Sequence, residues 1–319
     1  MNAHPDETRL CIVCLCATDG IGPRSIRRLL SATRTPDRTL RDILDWPREQ
    51  LQTELDIERK AARAIAHIEG PLIRGRKVLD ELTDAGCRAV RQGEPDFPEQ
   101  LDAALGNDCP PLLFLRGDPD VLRRPMVAVV GSRNPTCSAL QAARRFSADM
   151  GAAGWTVVSG GARGIDTAVH RGAMETCATA VVPPRGILRF RWRRPAREIA
   201  MSGRWCTVGQ FPPRSGWKDA NPLIRNRTIV ALARATVAFE PRDRGGTWHS
   251  SRRSLRMRRP LFVVNGSDES SKKRGLHALK SSGATVLDSD DMPDPETFAN
   301  MVEQAAPESH CRQRSMFDA

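Results

Sequence analysis

Short valine-rich runs, each closed by a glycine or serine turn and followed by a helix-like segment, recur along most of this chain and narrow what it can fold into. Val127–Val130 leads into Gly131-Ser132-Arg133, and Trp155–Val158 leads into Ser159-Gly160-Gly161-Ala162-Arg163-Gly164-Ile165-Asp166. An apolar run without polar alternation reads as a strand buried on both faces. Strands that alternate with helices build a parallel sheet. The two turns lie about thirty residues apart, the length of one βαβ unit, so their strand ends are expected side by side on one rim. Such turns leave unpaired backbone N–H groups at a helix start, where phosphate can be held.

The alternation continues. Strands are expected at 126–130, 155–159, 178–182, 206–211, 236–240, 261–264 and 285–287, with helices at 138–150, 166–176, 223–234, 248–257 and 272–282. The expected fold class is α/β, a doubly wound, mostly parallel sheet. Residues 8–70 read as helical instead. Leu10, Val13 and Leu15 lead into Asp19-Gly20-Ile21-Gly22-Pro23, and Ile26, Leu29 and Leu30 resume at helical spacing. With Arg24, Arg27 and Arg28 on the second helix, this pattern fits a small helix-hairpin-helix or SAM-like domain whose N–H groups hold a DNA phosphate. It fits equally a plain αα-hairpin in which Gly-x-Gly-Pro is only turn chemistry. A helix at 72–85, a loop region with Pro95, Pro98, Pro110 and Pro111, and a strand at Leu112–Leu115 extend the sheet domain. The expected organisation is residues 1–70 helical, 71–290 sheet domain, and 291–319 a flexible tail.

Charge points to an anionic partner. Lys and Arg number 49 against 38 Asp and Glu, a net charge of +11, which favours nucleic acid; a genome that uses arginine freely would give the same figure. No run of about eighteen apolar residues occurs, so no membrane span is expected. The polar, acidic start is unlike a signal peptide, and a cytoplasmic protein is expected. Nine cysteines are an odd count, most simply reduced thiols. Cys11, Cys14 and Cys16 sit among apolar residues and are expected as buried helix thiols, not metal ligands.

At the rim, Gly131 lets backbone approach a ligand, Ser132 offers a hydroxyl and Arg133 a planar fork of donors. Gly160 and Gly161 remove side-chain bulk, and Asp166 can cap the following helix. Arg225-Asn226-Arg227 can grip successive phosphates early in a helix, or form a solvated face. Gly245-Gly246-Thr247 is a fourth strand-to-helix turn. Neither Gly-x-x-x-x-Gly-Lys-Ser/Thr nor Gly-x-Gly-x-x-Gly occurs, which removes two common nucleotide-binding signatures. His170 and His249 lack a nucleophile or metal partner nearby, and His170 reads as structural. No catalytic residue, metal or cofactor is expected.

The blocks Val129–Arg133 and Thr156–Ala173, with Gln210-Phe211-Pro212-Pro213, Arg225–Val230, Pro95-Asp96-Phe97-Pro98 and Pro111–Gly117, closely resemble the bacterial DNA-processing protein family, DprA/Smf. The resemblance covers roughly residues 8–290. It implies a Rossmann-like domain that binds single-stranded DNA, protects it and delivers it to the RecA recombinase during natural transformation, commonly as a homodimer. By motif, Gly131, Ser132 and Arg133 would meet DNA, Arg133 at a phosphate. Ser159, Gly160, Gly161, Ala162, Gly164 and Asp166 would shape the pocket, and Arg225, Asn226 and Arg227 would extend the basic track.

Some features depart from the family. Residues 183–205 are unusually arginine-rich and Gly245 stands where a serine is common; the winged-helix domain that ends many relatives is not expected within these residues. The alternative reading is a nucleotide-processing hydrolase of the phosphoribohydrolase type. Gly245-Gly246-Thr247 resembles its Gly-Gly-x-Gly-Thr-x-x-Glu turn, but Ser250 stands where the glutamate belongs. In the tail, Gln313-Arg314-Ser315-Met316-Phe317 resembles the short peptide that docks on the bacterial sliding clamp.

Overall fold

The computed structural model describes residues 5–33, 38–176, 178–192, 204–265 and 270–305. The clamp-like peptide Gln313–Phe317 and the centre of the arginine-rich stretch, 193–203, lie outside the described residues. The chain divides into two compact units. The first comprises Met1–Gly117, Pro183–Phe190 and Thr207–Lys218; the second comprises Asp118–Val182, Arg191–Cys206 and Asp219–Ala319. The boundary expected at residue 70 falls inside the first of these.

Six helices open the first unit: α1 (Pro5–Ala17), α2 (Pro23–Ala32), α3 (Leu40–Leu44), α4 (Arg48–Leu55), α5 (Arg59–Ala66) and α6 (Pro71–Asp84). Proline occupies the first turn of α2 and α6, after Gly22 and Gly70, where its missing N–H costs nothing. Thr39 and Asp42 cap α3 reciprocally, and those bonds hold the Asp42 carboxyl below its usual range. Ile12, Leu15, Leu29, Leu40, Ile43, Leu51 and Ile65 meet in one core. Of the three thiols expected to be buried on α1, Cys11 and Cys14 are buried and Cys16 is half-buried; desolvation pushes the Cys11 thiol up to about 11. A side chain on Gly75 would collide with the Leu10 carbonyl, so glycine lets α6 pack backbone to backbone on α1.

Two elements lie in the stretch the sequence reads as loop. β1 (Cys87–Arg91) pairs antiparallel with β2 (Leu112–Gly117), and α7 (Gln100–Leu105) falls between them. β1 has two arginines in five residues and is half-solvated, so it lacks the apolar run that marks the buried strands.

The second unit holds the alternation. β3 (Met126–Gly131), α8 (Cys137–Ala152), β4 (Thr156–Ser159), α9 (Ile165–Thr176) and β5 (Ala178–Val181) come first. After β6 (Arg204–Gly209), which passes from the second unit into the first, follow α10 (Asn221–Leu232), β7 (Ala235–Phe239), α11 (Gly246–Arg256), β8 (Leu261–Asn265), α12 (Ser270–Lys280) and β9 (Thr285–Asp288). Within this unit the strand order is β5-β4-β3-β7-β8-β9, every pairing parallel. This is a Rossmann-like doubly wound sheet. The chain builds outward from β3 in one direction and then returns to the other side through β7. The crevice at the carboxyl ends of β3 and β7 is where such sheets place ligands.

A final helix corrects the expected tail. α13 (Pro295–Ala305) covers residues assigned to a flexible end. Asp294 accepts from the Glu296 and Thr297 N–H groups at 3.0 Å and caps it. Phe298 is fully buried and packs on Phe262, Phe146 and Trp155 at ring distances of 5.0, 5.2 and 5.9 Å. Burying one such ring stabilises by about 1.5–3 kcal/mol, enough to hold a short helix onto the sheet. Among the described residues no helix is long and apolar enough to cross a membrane.

Candidate nucleic-acid interface

Backbone approach sets the geometry of the rim. Gly131 ends β3 in register with Phe239 of β7. A Cβ on Gly131 would stand 2.7 Å from the Cβ of Ile165, so this glycine admits the start of α9. Gly164 has φ +82° and its α-carbon faces the Ser132 carbonyl too closely for any side chain. The Ile165 N–H donates to that carbonyl at 3.2 Å, and the Ser132 N–H donates to the Phe239 carbonyl at 3.2 Å. The turns after β3 and β4 are thereby joined into one corner.

The serines of the two turns serve the backbone. Ser159 is buried and its hydroxyl donates to the Val129 carbonyl at 2.6 Å. Ser132 Oγ accepts from the Asn134 N–H at 3.1 Å. Arg133 and Arg163 are exposed, and the Arg163 Nη2 donates to Asn134 Oδ1 at 2.7 Å.

Arg225 lies beneath this corner. It is 5% exposed, and a side chain on Gly160 would overlap its guanidinium. Asp166 Oδ2 sits 4.0 Å from Arg225 Nη2 and accepts from the Ala162 N–H at 3.2 Å. Asp166 therefore both secures the turn and faces the buried cation. Among the described residues the Arg225 Nε has no hydrogen-bond partner. Desolvation lowers the Arg225 pKa; Asp166 opposes that shift and the Arg133 guanidinium adds to it. Two cations thus converge on a corner that holds one carboxylate at 4 Å. An anion placed there would relieve burial and repulsion together.

Asn226 and His170 are structural by their contacts. Asn226 is buried and its amide donates to the Gly246 carbonyl at 3.3 Å, tying α10 to the start of α11. Arg227 is half-buried two residues along. His170 is fully enclosed one turn beyond Asp166. The Thr179 hydroxyl donates to the Val157 carbonyl, which leaves its oxygen to accept from His170 Nδ1 at 2.8 Å. Burial, helped by the Arg225 charge, lowers the His170 pKa to about 3.

The structure therefore brings Gly131, Ser132, Arg133, Ser159, Gly160, Gly161, Ala162, Gly164, Asp166 and Arg225 onto one rim. Sequence reading missed Arg163 and a buried pair, Glu240–Lys272. Local sequence carries no signal for that pair, whose members are joined only by the fold.

The helix-hairpin-helix arginines are placed differently. Arg24 Nε reaches Asp108 at 2.8 Å, Arg27 Nη2 reaches Asp102 at 2.6 Å and Arg28 Nη2 reaches Asp56 at 2.7 Å. Arg27 also donates to Gln92.

Comparison with known proteins settles the family. The family described as DNA recombination-mediator protein A matches residues 88–294. The chain belongs to that family. The Bacillus subtilis DNA processing protein DprA is 25% identical over 220 residues, covering 68% of this chain and 73% of that protein. Protein Smf of Escherichia coli is 30% identical over 199 residues, covering 60% of this chain and 51% of that protein. In fold, the chain is similar to the X-ray structure of Streptococcus pneumoniae DprA, with a TM-score of 0.68 at 20% identity, covering 95% of this chain and 99% of that one. It is also similar to Helicobacter pylori DNA processing protein A, whose structure describes a single-stranded DNA binding mode. There the TM-score is 0.58 at 22% identity, covering 69% of this chain and 97% of that one. The family match begins in β1 and ends just before α13, so it takes in the whole rim.

Proposed function

We propose that this protein binds single-stranded DNA along the rim formed by the carboxyl ends of β3, β4 and β7, and that it acts as a binding and delivery protein, not as an enzyme. The observation that carries the reading is the convergence of Arg133 and the buried Arg225 on a glycine corner with one facing carboxylate. Arginine forks match phosphate oxygens, and the glycines let the strand's backbone come close. A flexible single strand can bend to lower a phosphate toward the recessed Arg225; a stiff duplex cannot deform one of its phosphates inward as readily. The processing proteins of the relatives, and the single-strand binding named for the Helicobacter pylori structure, support the same reading. Aromatic residues make up 5% of the chain and Tyr is absent, so base stacking is limited and sequence preference is weak.

The hydrolase reading finds no support at the α11 turn. Ser250, at the position of that enzyme's glutamate, is buried with its hydroxyl donating to the Gly246 carbonyl at 3.0 Å. The cellular role we propose is protection of incoming DNA and delivery to RecA in the cytoplasm, as a homodimer. Fluorescence anisotropy with single- and double-stranded oligomers across a salt series tests the binding claim. Tighter binding to oligo-dT than to duplex is expected, with log K falling by about 0.7 per neutralised phosphate per decade of salt. Equal affinity for both forms, or no binding in dilute buffer, defeats it.

A further inference from the structure

We propose that the buried Glu240–Lys272 pair is a positioning device for Arg133, which it holds in place through the turn at 132–136; this rests on the reading of the rim as a DNA site. Glu240 follows β7 directly and has φ +48°, a left-handed conformation that a side chain disfavours. Its N–H still donates to the Val264 carbonyl at 3.2 Å, so β8 holds that backbone in place. Such strain persists where surrounding contacts over-determine it, often at functional sites.

The contacts all converge on one loop. Glu240 Oε1 accepts from the Thr136 N–H at 3.2 Å and from its hydroxyl at 2.7 Å. Glu240 Oε2 accepts from Lys272 Nζ at 2.7 Å, with both side chains at most 6% exposed. Lys272 Nζ also reaches the Asn134 carbonyl at 3.5 Å. Thr136 is the N-cap of α8, so the far end of the turn is fastened to Glu240. Its near end is fastened through Ser132 to Phe239. Arg133, exposed, lies between the two fastenings.

A buried ion pair stabilises a fold little more than apolar residues of the same shape. What this pair adds is direction. The carboxylate fixes where Thr136 sits, the ammonium fixes Asn134, and the backbone between them has little freedom left for aiming the Arg133 guanidinium.

A double-mutant cycle read by oligo-dT anisotropy tests this. Arg133→Ala is expected to weaken binding about tenfold, as for one lost charge-assisted hydrogen bond. Lys272→Met alone is expected to weaken it by roughly fivefold, and to weaken the Arg133→Ala protein by less than about twofold, because coupled residues do not add. A melting curve accompanies each variant. If Lys272→Met leaves an uncompensated buried carboxylate and does not fold, Glu240→Gln with Lys272→Met removes both charges and keeps a carbonyl toward Thr136; the same non-additivity is expected. Losses that add, or full affinity in the charge-neutral protein, overturn the proposal while leaving the rim reading intact. Full affinity in Arg133→Ala sinks the rim reading, and the proposal with it.

Discussion

Gly22-Pro23 opens the basic helix α2, and Gly160–Gly164 opens α9 beside Arg133 and Arg225. Both pair glycine turns with arginine, and both look like phosphate sites in sequence. They differ in counter-charge. Each of the three arginines on α2 has its own aspartate within 2.8 Å. On the rim, Arg225 has one carboxylate at 4.0 Å and feels Arg133 as a like charge. An arginine whose donors already face carboxylates gains little from a phosphate. A buried arginine whose nearest carboxylate among the described residues stands 4.0 Å away gains a great deal. The comparison teaches that anion capacity depends on which acids the fold brings to the arginines, more than on the glycine motif.

The largest effect that would sharpen this contrast is expected from Arg225→Ala. It removes the buried cation and leaves Asp166 facing the corner alone. Loss of one member of a buried charge pair at an interface costs about 2–5 kcal/mol, so oligo-dT affinity should fall by about a hundredfold in anisotropy. Gly160→Ala should reproduce much of that loss by displacing the guanidinium. Affinity within a factor of two of wild type in both would erase the distinction between the two turns.

Next in size is a pH effect beneath the same corner. The His170 pKa falls from 6.5 to about 3 on folding. The unfolded chain therefore takes up the proton first, and stability falls as pH drops from about 6.5 toward 3. Between pH 7 and pH 5 the linked loss is about 2 kcal/mol, measurable by urea unfolding. Carboxylates held low in the fold, such as Asp42 and Asp294, lose their contribution only below the ordinary carboxylate range, so this window isolates the histidine. His170→Asn should flatten the slope; an unchanged slope would place its origin elsewhere. Arg225→Ala should make it shallower, because Arg225 is the second cause of the shift, whereas changes on α2 should not touch it.

Much of the sheet was legible because valine runs ending in glycine carry both the strand and the turn locally. Gly131, Gly160 and Gly164 were legible for the same reason. Other features depend on partners distant in sequence. β1 reads as loop because its arginines interrupt the apolar run, and it becomes a strand only by pairing with β2. α13 did carry a local signal, Asp294-Pro295 followed by Phe298 and Val302 at helical spacing, but a polar tail around it concealed that pattern. Ser132 looks like a ligand hydroxyl in sequence, and only the fold shows it, like Ser159, bound to backbone. Glu240 and Lys272 are joined across two elements and cannot be paired from sequence.

The smallest expected effect is the one best able to break the comparison. Arg24→Ala, Arg27→Ala and Arg28→Ala combined in one protein remove three positive charges, so a contact driven by net charge alone would weaken visibly. If these arginines are occupied by Asp108, Asp102 and Asp56, oligo-dT affinity should change by less than about twofold, and the salt slope should keep its value. Stability should fall only modestly, since partly exposed ion pairs contribute about 1 kcal/mol or less each. A loss comparable to that of Arg133→Ala, together with a slope reduced by about 0.7 per missing contact, would show that DNA displaces the aspartates. The hairpin would then be a second phosphate site, and the counter-charges seen on α2 would mark a resting arrangement that ligand exchanges for its own.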